Sequence, residues 1–305
     1  MDITIVIPVL NRKALLKHTL DSIMRSPMNG TPVIVVDNGS TDGTLEMLET
    51  YTAANPCVAF VQEPQRSAAA ARNKGLSMVH TKWVYFFDSD DEFEDIPHSW
   101  NQTVDMVAFP TRQMVENKIS VRAYKPVADP AVQILNSMLN TISMIFRTSW
   151  LKDIGSWNTS CRVWDDWELG IRALMAKPRL QWITDKAYHT VKIHPESLTG
   201  PSFKSRYKLQ LEAIGQAFND SSATDTHTAK RCFKALMLRT YILSGKLLHE
   251  GDKKASSECR HFIMEHFGKK PTGAGLGRIL EQYTAMGGRG AWKIALHNIT
   301  RKRNL

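Results

Sequence analysis

The chain has 305 residues, of which 43% are hydrophobic and 23% are charged. This length and composition predict one large globular domain or two modest ones and exclude a disordered protein. There are 39 Lys and Arg residues against 30 Asp and Glu, so the formal charge is +9, and such an excess first suggests nucleic acid or an anionic membrane as a partner.

The positive charge is unevenly distributed along the chain. Residues 1–199 carry 20 basic and 22 acidic residues, a net charge of −2. Residues 200–305 carry 19 basic and 8 acidic residues, a net charge of +11. The whole excess therefore lies in the last third, which indicates a near-neutral front part and a basic back part with different roles.

The sequence predicts a cytoplasmic protein. No apolar run reaches the roughly 18 residues that a membrane-spanning helix needs. The first residues lead directly into the apolar run Ile3–Val9 without a basic segment or a cleavage site, which argues against a secretory signal. The four cysteines are widely spaced and form no CxxC pair, as is typical of free thiols in a reducing compartment.

The first 95 residues alternate between strand and helix patterns. Continuous apolar, β-branched runs predict strands covered on both faces, and apolar residues three or four positions apart predict the helices between them. The predicted strands are 3–10, 33–36, 58–61 and 83–87, and the predicted helices are about 15–24, 42–53 and 67–79. This alternation predicts an α/β fold, with a mostly parallel sheet and helices on both faces.

After residue 97 the pattern loosens into shorter elements and then becomes helical. Residues 105–110 and 118–124 are predicted to form antiparallel strands. Further strands are predicted at 143–147, 181–183 and 187–193, helices at 131–139, 164–176 and 291–299, a helical region beyond 203, and a loop at 268–277.

Acidic residues directly follow the fourth predicted strand, in the sequence Asp88-Ser89-Asp90-Asp91. Three carboxylates at a strand end repel one another unless a cation is bound, and Mg²⁺ or Mn²⁺ accepts oxygen ligands while keeping positions open for phosphate. The alternative interpretation is a solvated acidic turn.

Asp37 ends the second predicted strand, and Arg72 lies in the small-residue segment 67–75. A carboxylate at such a strand end can bind a ribose hydroxyl or a base N–H, although an Asx turn with the residues that follow is an equal alternative. The arginine can bind phosphate or a base edge, although alanine-rich helices usually reflect close packing.

Two acids stand between tryptophans at a predicted helix start, in Trp164-Asp165-Asp166-Trp167-Glu168. A partly desolvated carboxylate at this position can act as a general base. The alternative is that these acids only stabilise the amino end of the helix through its dipole.

Five segments together resemble the family 2 glycosyltransferases, which are inverting enzymes of GT-A fold that use sugar nucleotides. The segments are TIVIPVLN (4–11), VIVVDNGSTDG (33–43), AARNKG (70–75), FFDSDD (86–91) and WDDWELGIR (164–172). The resemblance covers about residues 2–200. It implies a GT-A domain over 1–202, with a nucleotide half at about 1–95 and an acceptor half at 96–202, followed by a basic helical region over 203–305.

The resemblance also implies a role for each matching position. The residues implied to bind the donor are Pro8, Val9, Leu10, Asn11, Asp37, Arg72, Asp88 and Ser89. Asp90 is implied to hold the metal, Mn²⁺ or Mg²⁺, and Asp166 to be the catalytic base. His194 resembles a histidine that approaches the metal or the diphosphate, with an ordinary loop histidine as the alternative. Trp164 and Asp165 would lie on the acceptor side.

Three positions depart from the family pattern. An aromatic residue that can stack on the base usually stands where this chain has Leu10, and glycine is frequent at the position of Trp164. The first acid of the family's Glu-Asp pair is Asp165 here. The resemblance favours a UDP-sugar donor, but Leu10 weakens the argument that the nucleobase of the donor is uracil.

The resemblance implies a metal-dependent hexosyl- or N-acetylhexosaminyltransferase of bacterial polysaccharide assembly, with a glycan or lipid-linked acceptor. A sugar nucleotidyltransferase is an alternative, but the first strand lacks a glycine-rich basic loop. A nucleic-acid-binding protein is a second alternative that no nucleic-acid-binding motif supports. The basic segment 289–304 suggests peripheral docking on anionic lipid at the cytoplasmic face of the inner membrane, or else a packed helical appendage with exposed charges.

Overall fold

The computed structural model describes residues 1–115, 118–121, 126–192 and 202–301. The chain divides into two compact units. Unit 1 comprises Met1–Pro126, Leu139–Arg162 and Pro178–Ser197, and unit 2 comprises Val127–Met138, Val163–Lys177 and Leu198–Leu305. Unit 2 therefore combines two segments from the middle of the chain with its last third. The domain boundary predicted near residue 202, between a GT-A domain and a helical region, stays a prediction.

The strands all belong to unit 1. They are β1 (Ile3–Val9), β2 (Val33–Asp37), β3 (Val58–Gln62), β4 (Trp83–Phe86), β5 (Met106–Ala108), β6 (Thr111–Val115), β7 (Lys118–Val121), β8 (Met144–Arg147), β9 (Leu180–Trp182) and β10 (His189–Lys192). In the described part of the chain, seven of them form a sheet in the order β3-β2-β1-β4-β8-β5-β9. The pairs among β1 to β4 are parallel, as the sequence predicts.

The helices are distributed over both units. They are α1 (Lys13–Arg25), α2 (Thr44–Ala54), α3 (Ala68–Ser77), α4 (Pro130–Asn136), α5 (Thr148–Asp153), α6 (Asp165–Met175), α7 (Tyr207–Ser222), α8 (Thr226–His249), α9 (Lys253–Phe267), α10 (Ala274–Ala285) and α11 (Ala291–Thr300). A short 3-10 helix spans Thr141–Ser143.

Helices cover both faces of the parallel part of the sheet. Ile5 and Ile7 of β1 lie in a core cluster with Leu16 of α1. Because successive side chains of a strand point to opposite faces, Val6 faces the other side. There it meets α3 so closely that a Cβ on Gly75 would lie 2.4 Å from Cγ1 of Val6. The small residues of α3 therefore serve close packing on the sheet.

The middle of the chain completes the sheet in a mixed arrangement. β8 pairs antiparallel with β4 and with β5, and β5 pairs parallel with β9. Over their described residues, the predicted strands 105–110 and 118–124 do not pair with each other. β6 and β7 instead form an antiparallel pair, and β10 joins β6 in a second, three-stranded sheet.

Unit 2 is built around α8, which contacts α4, α7, α9, α10 and α11. The prediction of a loop over 268–277 is wrong in its second part, because α10 begins at Ala274. Gly277 resembles a loop residue in the sequence, but it lies inside α10, where a Cβ would come within 2.2 Å of the Tyr241 ring on α8. Glycine therefore allows close helix packing at this point.

The last helix, α11, packs within unit 2. Ala295 and Ile299 are buried, and α11 contacts α4, α8 and α10. This packing favours the helical-appendage interpretation of the basic end over one in which the apolar face of α11 enters lipid. Among the helices of the described residues, none combines the length and apolar composition required to cross a bilayer.

Candidate active site

The carboxyl ends of β1 and β2 are joined by hydrogen bonds. Asn11 adopts a left-handed conformation (φ 52°). Its N–H donates to Oγ of Ser40 at 2.8 Å, and its Oδ1 accepts the N–H of Thr41 at 2.7 Å. The carboxylate of Asp37 is buried and accepts the N–H groups of Gly39 and Ser40 at 3.2 Å. The structure therefore shows the turn that the sequence offered as one alternative for Asp37. The binding of a nucleoside by Asp37 stays a prediction.

Asn38 connects this turn to the amino end of α3. Its Nδ2 donates to the carbonyl oxygens of Glu63 and Gln65 at 2.8 and 2.7 Å. Its Oδ1 accepts the N–H of Ser67 at 2.9 Å, and Ser67 is the N-cap of α3. A single buried amide thus fixes the start of the arginine-bearing helix beside the end of β2.

Arg72 of α3 holds the first acid of the Asp88–Asp91 motif. Its side chain is buried, and its Nη2 lies 2.9 Å from Oδ1 of Asp88. The guanidinium carbon lies 4.4 Å from the ring centroid of Trp157. Asn73 fixes that tryptophan through hydrogen bonds to its backbone N–H and carbonyl oxygen at 3.0 and 2.9 Å. The structure therefore brings together two donor-side residues that the sequence predicts separately.

Arg12, which is not among the residues predicted from the sequence, holds Asp90, the second acid of the motif. Its Nη1 lies 2.8 Å from Oδ2 of Asp90. Arg12 follows β1 and precedes α1, so its place immediately after the predicted donor segment 8–11 was the available signal. Ser89, between the two acids, is buried at 3% exposure. Asp88 and Asp90 thus each face one arginine, from two different parts of the chain.

The acid pair fits a hard divalent cation. Mg²⁺ and, by the same oxygen preference, Mn²⁺ are held by one or two carboxylates, with substrate phosphates and water as further ligands, and Asp88 and Asp90 offer such carboxylates. Among the described residues, no group of three or more His, Cys, Asp or Glu side chains is placed to hold an ion on its own. His194, the other predicted metal ligand, lies outside the described residues.

In unit 2, the predicted base stands in the first turn of α6. Oδ1 of Asp166 accepts the N–H of Trp167 at 2.7 Å, and Oδ1 of Asp165 accepts the N–H of Asp166 at 3.1 Å. Both acids are half-buried. The unpaired N–H groups at a helix amino end stabilise a negative charge, so this placement also fits the alternative in which the acids stabilise the start of α6.

The backbone conformation of Trp164 explains why glycine is frequent at this position in the family. Trp164 is the N-cap of α6 and has a left-handed backbone, with φ 58° and ψ 28°. Glycine adopts this conformation without steric cost, whereas other L-residues pay roughly 1–2 kcal/mol. The structure therefore shows why a glycine suits this position and implies that contacts of Trp164 offset the strain.

Arg239 of α8 supplies such contacts. Its guanidinium carbon lies 4.3 Å from the ring centroid of Trp164 and 4.7 Å from that of Trp167. Its Nη1 donates to the carbonyl oxygen of Ile134 at 2.7 Å, and Nε1 of Trp167 donates to the same oxygen at 3.2 Å. The two tryptophans that flank the acids are therefore held by one arginine, about 70 residues later in sequence.

A second polar cluster holds the next turn of α6. Glu168 is buried and accepts Nε and Nη2 of Arg172 at 2.7 and 3.1 Å. Asp220 of α7 is hydrogen-bonded to Glu168, and burial together with that neighbour raises the pKa of Asp220 to about 6. These bonds attach α6 to the helices of the last third.

The structure thus distributes the predicted residues between the two units. Among the described residues, those predicted for the donor and the metal fall in unit 1, and Trp164, Asp165 and Asp166 fall in unit 2. In the donor segment, Val9 is buried, Pro8 is half-buried and Leu10 is exposed. The roles of these residues stay predictions.

Comparisons with known proteins show which family and which folds the chain is similar to. Residues 4–105 match the family model of glycosyl transferase family 2. The glycosyltransferase GlyA of Streptococcus pneumoniae is 33% identical over 92 residues, which are 30% of this chain and 13% of GlyA. The poly(ribitol-phosphate) beta-N-acetylglucosaminyltransferase TarS of Staphylococcus aureus is 27% identical over 207 residues, which are 62% of this chain and 35% of TarS. The chain spans well under two thirds of these relatives.

Solved structures share the fold over almost the whole chain. A crystal structure of TarS residues 1–349 has a TM-score of 0.67 at 17% identity, covering 98% of this chain and 91% of that one. The same fragment has also been solved with UDP-GlcNAc. The mannosyltransferase PcManGT of Pyrobaculum calidifontis, solved with GDP-Man and Mn²⁺, has a TM-score of 0.56 at 18% identity, covering 99% and 88%. The predicted fold class, a GT-A sheet followed by a helical region, is confirmed.

Proposed function

We propose that the chain is an inverting glycosyltransferase of bacterial cell-surface glycan assembly, since residues 4–105 match the family model of glycosyl transferase family 2. It moves a hexose or an N-acetylhexosamine from a nucleotide diphosphate sugar to an acceptor hydroxyl. The observation that carries this proposal is the pair of acids after β4, each held by a separate arginine. Such a cluster of fixed charges is suited to a diphosphate and its metal.

The donor side of the reaction uses residues of unit 1. The 8–11 segment and Asp37 bind the nucleoside, and Arg72 and Arg12 place positive charge where the diphosphate lies. Asp90 would hold Mn²⁺ or Mg²⁺, with Asp88 beside it on the donor side and His194 as a further candidate ligand. When bound, the ion supplies a Lewis acid that stabilises the charge developing on the leaving diphosphate. PcManGT, solved with GDP-Man and Mn²⁺, supports this donor chemistry.

The acceptor side uses Asp166. Its carboxylate takes the proton of the acceptor hydroxyl as the hydroxyl oxygen attacks the anomeric carbon from the face opposite the diphosphate. The new carbon–oxygen bond forms while the bond to the phosphate oxygen breaks, and the anomeric configuration inverts in this single displacement. The Trp167 N–H that donates to Asp166 at 2.7 Å fixes the orientation of the base. Asp165 and Trp164 border the acceptor.

UDP-sugars are the favoured donors, and the acceptor is a glycan or a lipid-linked chain. The complex of the TarS fragment with UDP-GlcNAc supports the choice of UDP, whereas Leu10, exposed at 40%, gives no aromatic ring to stack on a base. A cytoplasmic location and docking on anionic lipid stay predictions from the sequence. No nucleic acid is expected as a partner.

The activity is tested first with a panel of sugar nucleotides. In the presence of Mn²⁺, one donor should raise the melting temperature of the protein and be hydrolysed slowly. If no donor of the panel raised the melting temperature or was hydrolysed, the proposal would be contradicted.

Two variants then separate the roles of the two acids. Asp166→Asn should abolish transfer and keep donor binding, whereas Asp90→Ala should remove the Mn²⁺-dependent part of donor binding. Asp153→Asn, an exposed acid at the end of α5, is the matched control for both. Full transfer by Asp166→Asn would remove Asp166 as the base, and donor binding by Asp90→Ala that still responds to Mn²⁺ would remove Asp90 as a metal ligand.

A further inference from the structure

The outer side of α10 exposes apolar side chains to solvent. Ile279 and Met286 are exposed at 63% and 80%, and Tyr283 between them is exposed as well. These residues are four and then three positions apart, so they lie on one side of the helix. We call them the α10 apolar face. Of the nine large hydrophobic side chains exposed in the described part of the chain, four lie between residues 279 and 294.

The opposite side of α10 packs against α8, so the α10 apolar face is not part of the core of unit 2. A Cβ on Gly277 would lie 2.2 Å from the ring of Tyr241, and a Cβ on Gly245 of α8 would lie 2.4 Å from the carbonyl oxygen of Glu281. A helix that packs by one side usually has polar residues on the other. A contiguous apolar surface in their place indicates an interaction site.

The surroundings of the α10 apolar face are basic. Arg278 on the helix and Arg289 and Lys293 after it are exposed. The segment 274–301 contains one acid, Glu281, which is buried and paired with an arginine of α9 at 2.9 Å. The exposed part of this segment therefore combines apolar side chains with positive charge.

Tyr283 joins the apolar and the basic parts. Its hydroxyl donates to the carbonyl oxygen of Arg289 at 3.0 Å. The turn after α10 packs on the tyrosine ring so closely that a Cβ on Gly288 would lie 2.5 Å from Cε1 of Tyr283. The arginine is therefore held beside the α10 apolar face. A tyrosine, with an apolar ring and a polar tip, suits the boundary between hydrocarbon and water.

An anionic lipid surface matches both parts. Lipid headgroups attract Arg289 and Lys293, and the side chains of Ile279 and Met286 can enter the boundary between the headgroups and the acyl chains. A second copy of the chain that docked by the same face would bring equal positive charges together. A single-stranded nucleic acid binds through its phosphates and by stacking on aromatic rings, which leaves the two aliphatic side chains in water.

We propose that the α10 apolar face and the basic residues beside it dock the protein on an anionic lipid surface. The apolar residues of α11 do not supply this contact, because Ala295 and Ile299 are buried in unit 2. Docking does not require the proposed transfer. Combined with the proposed function, it brings the enzyme to the surface at which a lipid-linked acceptor lies.

Docking is tested by flotation of the full chain with increasing amounts of vesicles, made of phosphatidylcholine with or without phosphatidylglycerol. The wild type should bind the vesicles that contain phosphatidylglycerol and be released as salt rises. Ile279→Gln/Met286→Gln should bind at least about fivefold more weakly. The matched control Ile119→Gln/Met264→Gln replaces the same two residue types, exposed at 59% and 49%, and should bind within about twofold of the wild type.

A second pair of variants tests the charges. Arg289→Gln/Lys293→Gln should weaken binding to the vesicles that contain phosphatidylglycerol at least about fivefold. Lys253→Gln/Lys254→Gln removes two exposed charges at the start of α9 and is the matched control. The melting temperatures of all four variants, compared with that of the wild type, show whether each variant folds.

Four results would overturn the proposal. The first is no binding of the wild type to phosphatidylglycerol at low salt, or equal binding to pure phosphatidylcholine. The second is equal affinity of a folded Ile279→Gln/Met286→Gln variant and its control. The third is a wild-type dimer in sedimentation that this variant dissociates, which would assign the face to a second copy. The fourth is binding of single-stranded RNA that the same variant loses.

The outcome of the flotation experiment is distinguishable from that of the activity tests. Flotation needs no donor, so its failure leaves the sugar nucleotide panel and the Asp166→Asn test intact. Conversely, a protein that docks on phosphatidylglycerol but responds to no donor of the panel would contradict the proposed function and leave the docking surface in place.

Discussion

The strained tryptophan at the start of α6 predicts a measurable coupling to Arg239. Replacing Arg239 by Ala removes two cation–π contacts, each contributing roughly 0.5–2 kcal/mol. It also removes a charged hydrogen bond to the Ile134 carbonyl, which contributes roughly 1.5–3 kcal/mol. We therefore expect Arg239→Ala to lower the free energy of unfolding by about 3 kcal/mol. The geometry behind this sum is the pair of 4.3 and 4.7 Å ring distances and the 2.7 Å hydrogen bond.

Replacing Trp164 by Gly separates the strain from the contact. Glycine relieves the left-handed backbone by roughly 1–2 kcal/mol and loses one cation–π contact of similar size. The variant also loses the ring contact of Trp164 with Trp167, whose centroids lie 5.4 Å apart, so the net change should be a destabilisation of roughly 1–2 kcal/mol. In the glycine background, Arg239→Ala has one contact less to remove, so it should cost about 1 kcal/mol less than in the wild type.

Urea unfolding of the four proteins measures this cycle, with Arg278→Ala, an exposed arginine on α10, as the control. An identical cost of Arg239→Ala in both backgrounds, within about 0.3 kcal/mol, would refute the coupling. Transfer assays add a functional measurement. If Arg239 positions the base helix, Arg239→Ala should lower the transfer rate and leave donor-induced thermal stabilisation unchanged, whereas equal loss of both would indicate general unfolding.

Three further predictions concern pH and packing. Burial lowers the pKa of His189 to about 3, so below about pH 6.5 the unfolded chain binds a proton at this residue and the folded protein does not. Lowering the pH from 7 to 5 should therefore reduce the free energy of unfolding of the wild type, measured in urea, by about 2 kcal/mol more than that of His189→Leu. Equal pH dependence of the two proteins would contradict this. The raised pKa of Asp220 changes stability in the opposite direction, because the unfolded chain loses this proton from about pH 4 and the folded protein only near pH 6. Asp220→Asn should therefore raise the melting temperature at pH 8, where the charged side chain faces Glu168, and change it little at pH 4. An increase at both pH values would point to another cause. Gly75→Ala should lower the free energy of unfolding by roughly 1–3 kcal/mol, because its Cβ would meet Val6 at 2.4 Å, and an unchanged urea midpoint would show that the strand yields.

The sequence was sufficient where local patterns decide the structure. Runs such as Ile3–Val9 are apolar on both faces because helices cover both faces of a parallel sheet, so the alternation along the first 95 residues predicted the sheet. The acids after β4 could be located for the same reason, since they directly follow a buried strand. Their partners could not be predicted. Arg12 and Arg72 meet Asp90 and Asp88 only through tertiary packing, 78 and 16 residues away in the sequence.

Prediction from the sequence failed at residues whose identity is required by contacts with distant parts of the chain. Gly277 looked like a loop residue, yet it is required inside α10 because Tyr241 leaves no room for a Cβ. Trp164 looked like an unexplained departure from glycine, and its left-handed backbone became visible only in the structure. Arg239 carried no signal at all, because a single arginine in a basic helical region is indistinguishable from its neighbours.

Unit 2 changes the interpretation of the basic last third. From the sequence, a segment of +11 following a near-neutral front suggested an added module with its own partner. In the structure, α6 contacts α4 and α7, and α8 contacts α4 and α7 as well. The helix that carries Asp166 is therefore part of the same compact unit as the basic helices. If Asp166 is the base, as proposed, the positive charge of this unit would attract an acidic acceptor to the same body that removes the acceptor's proton.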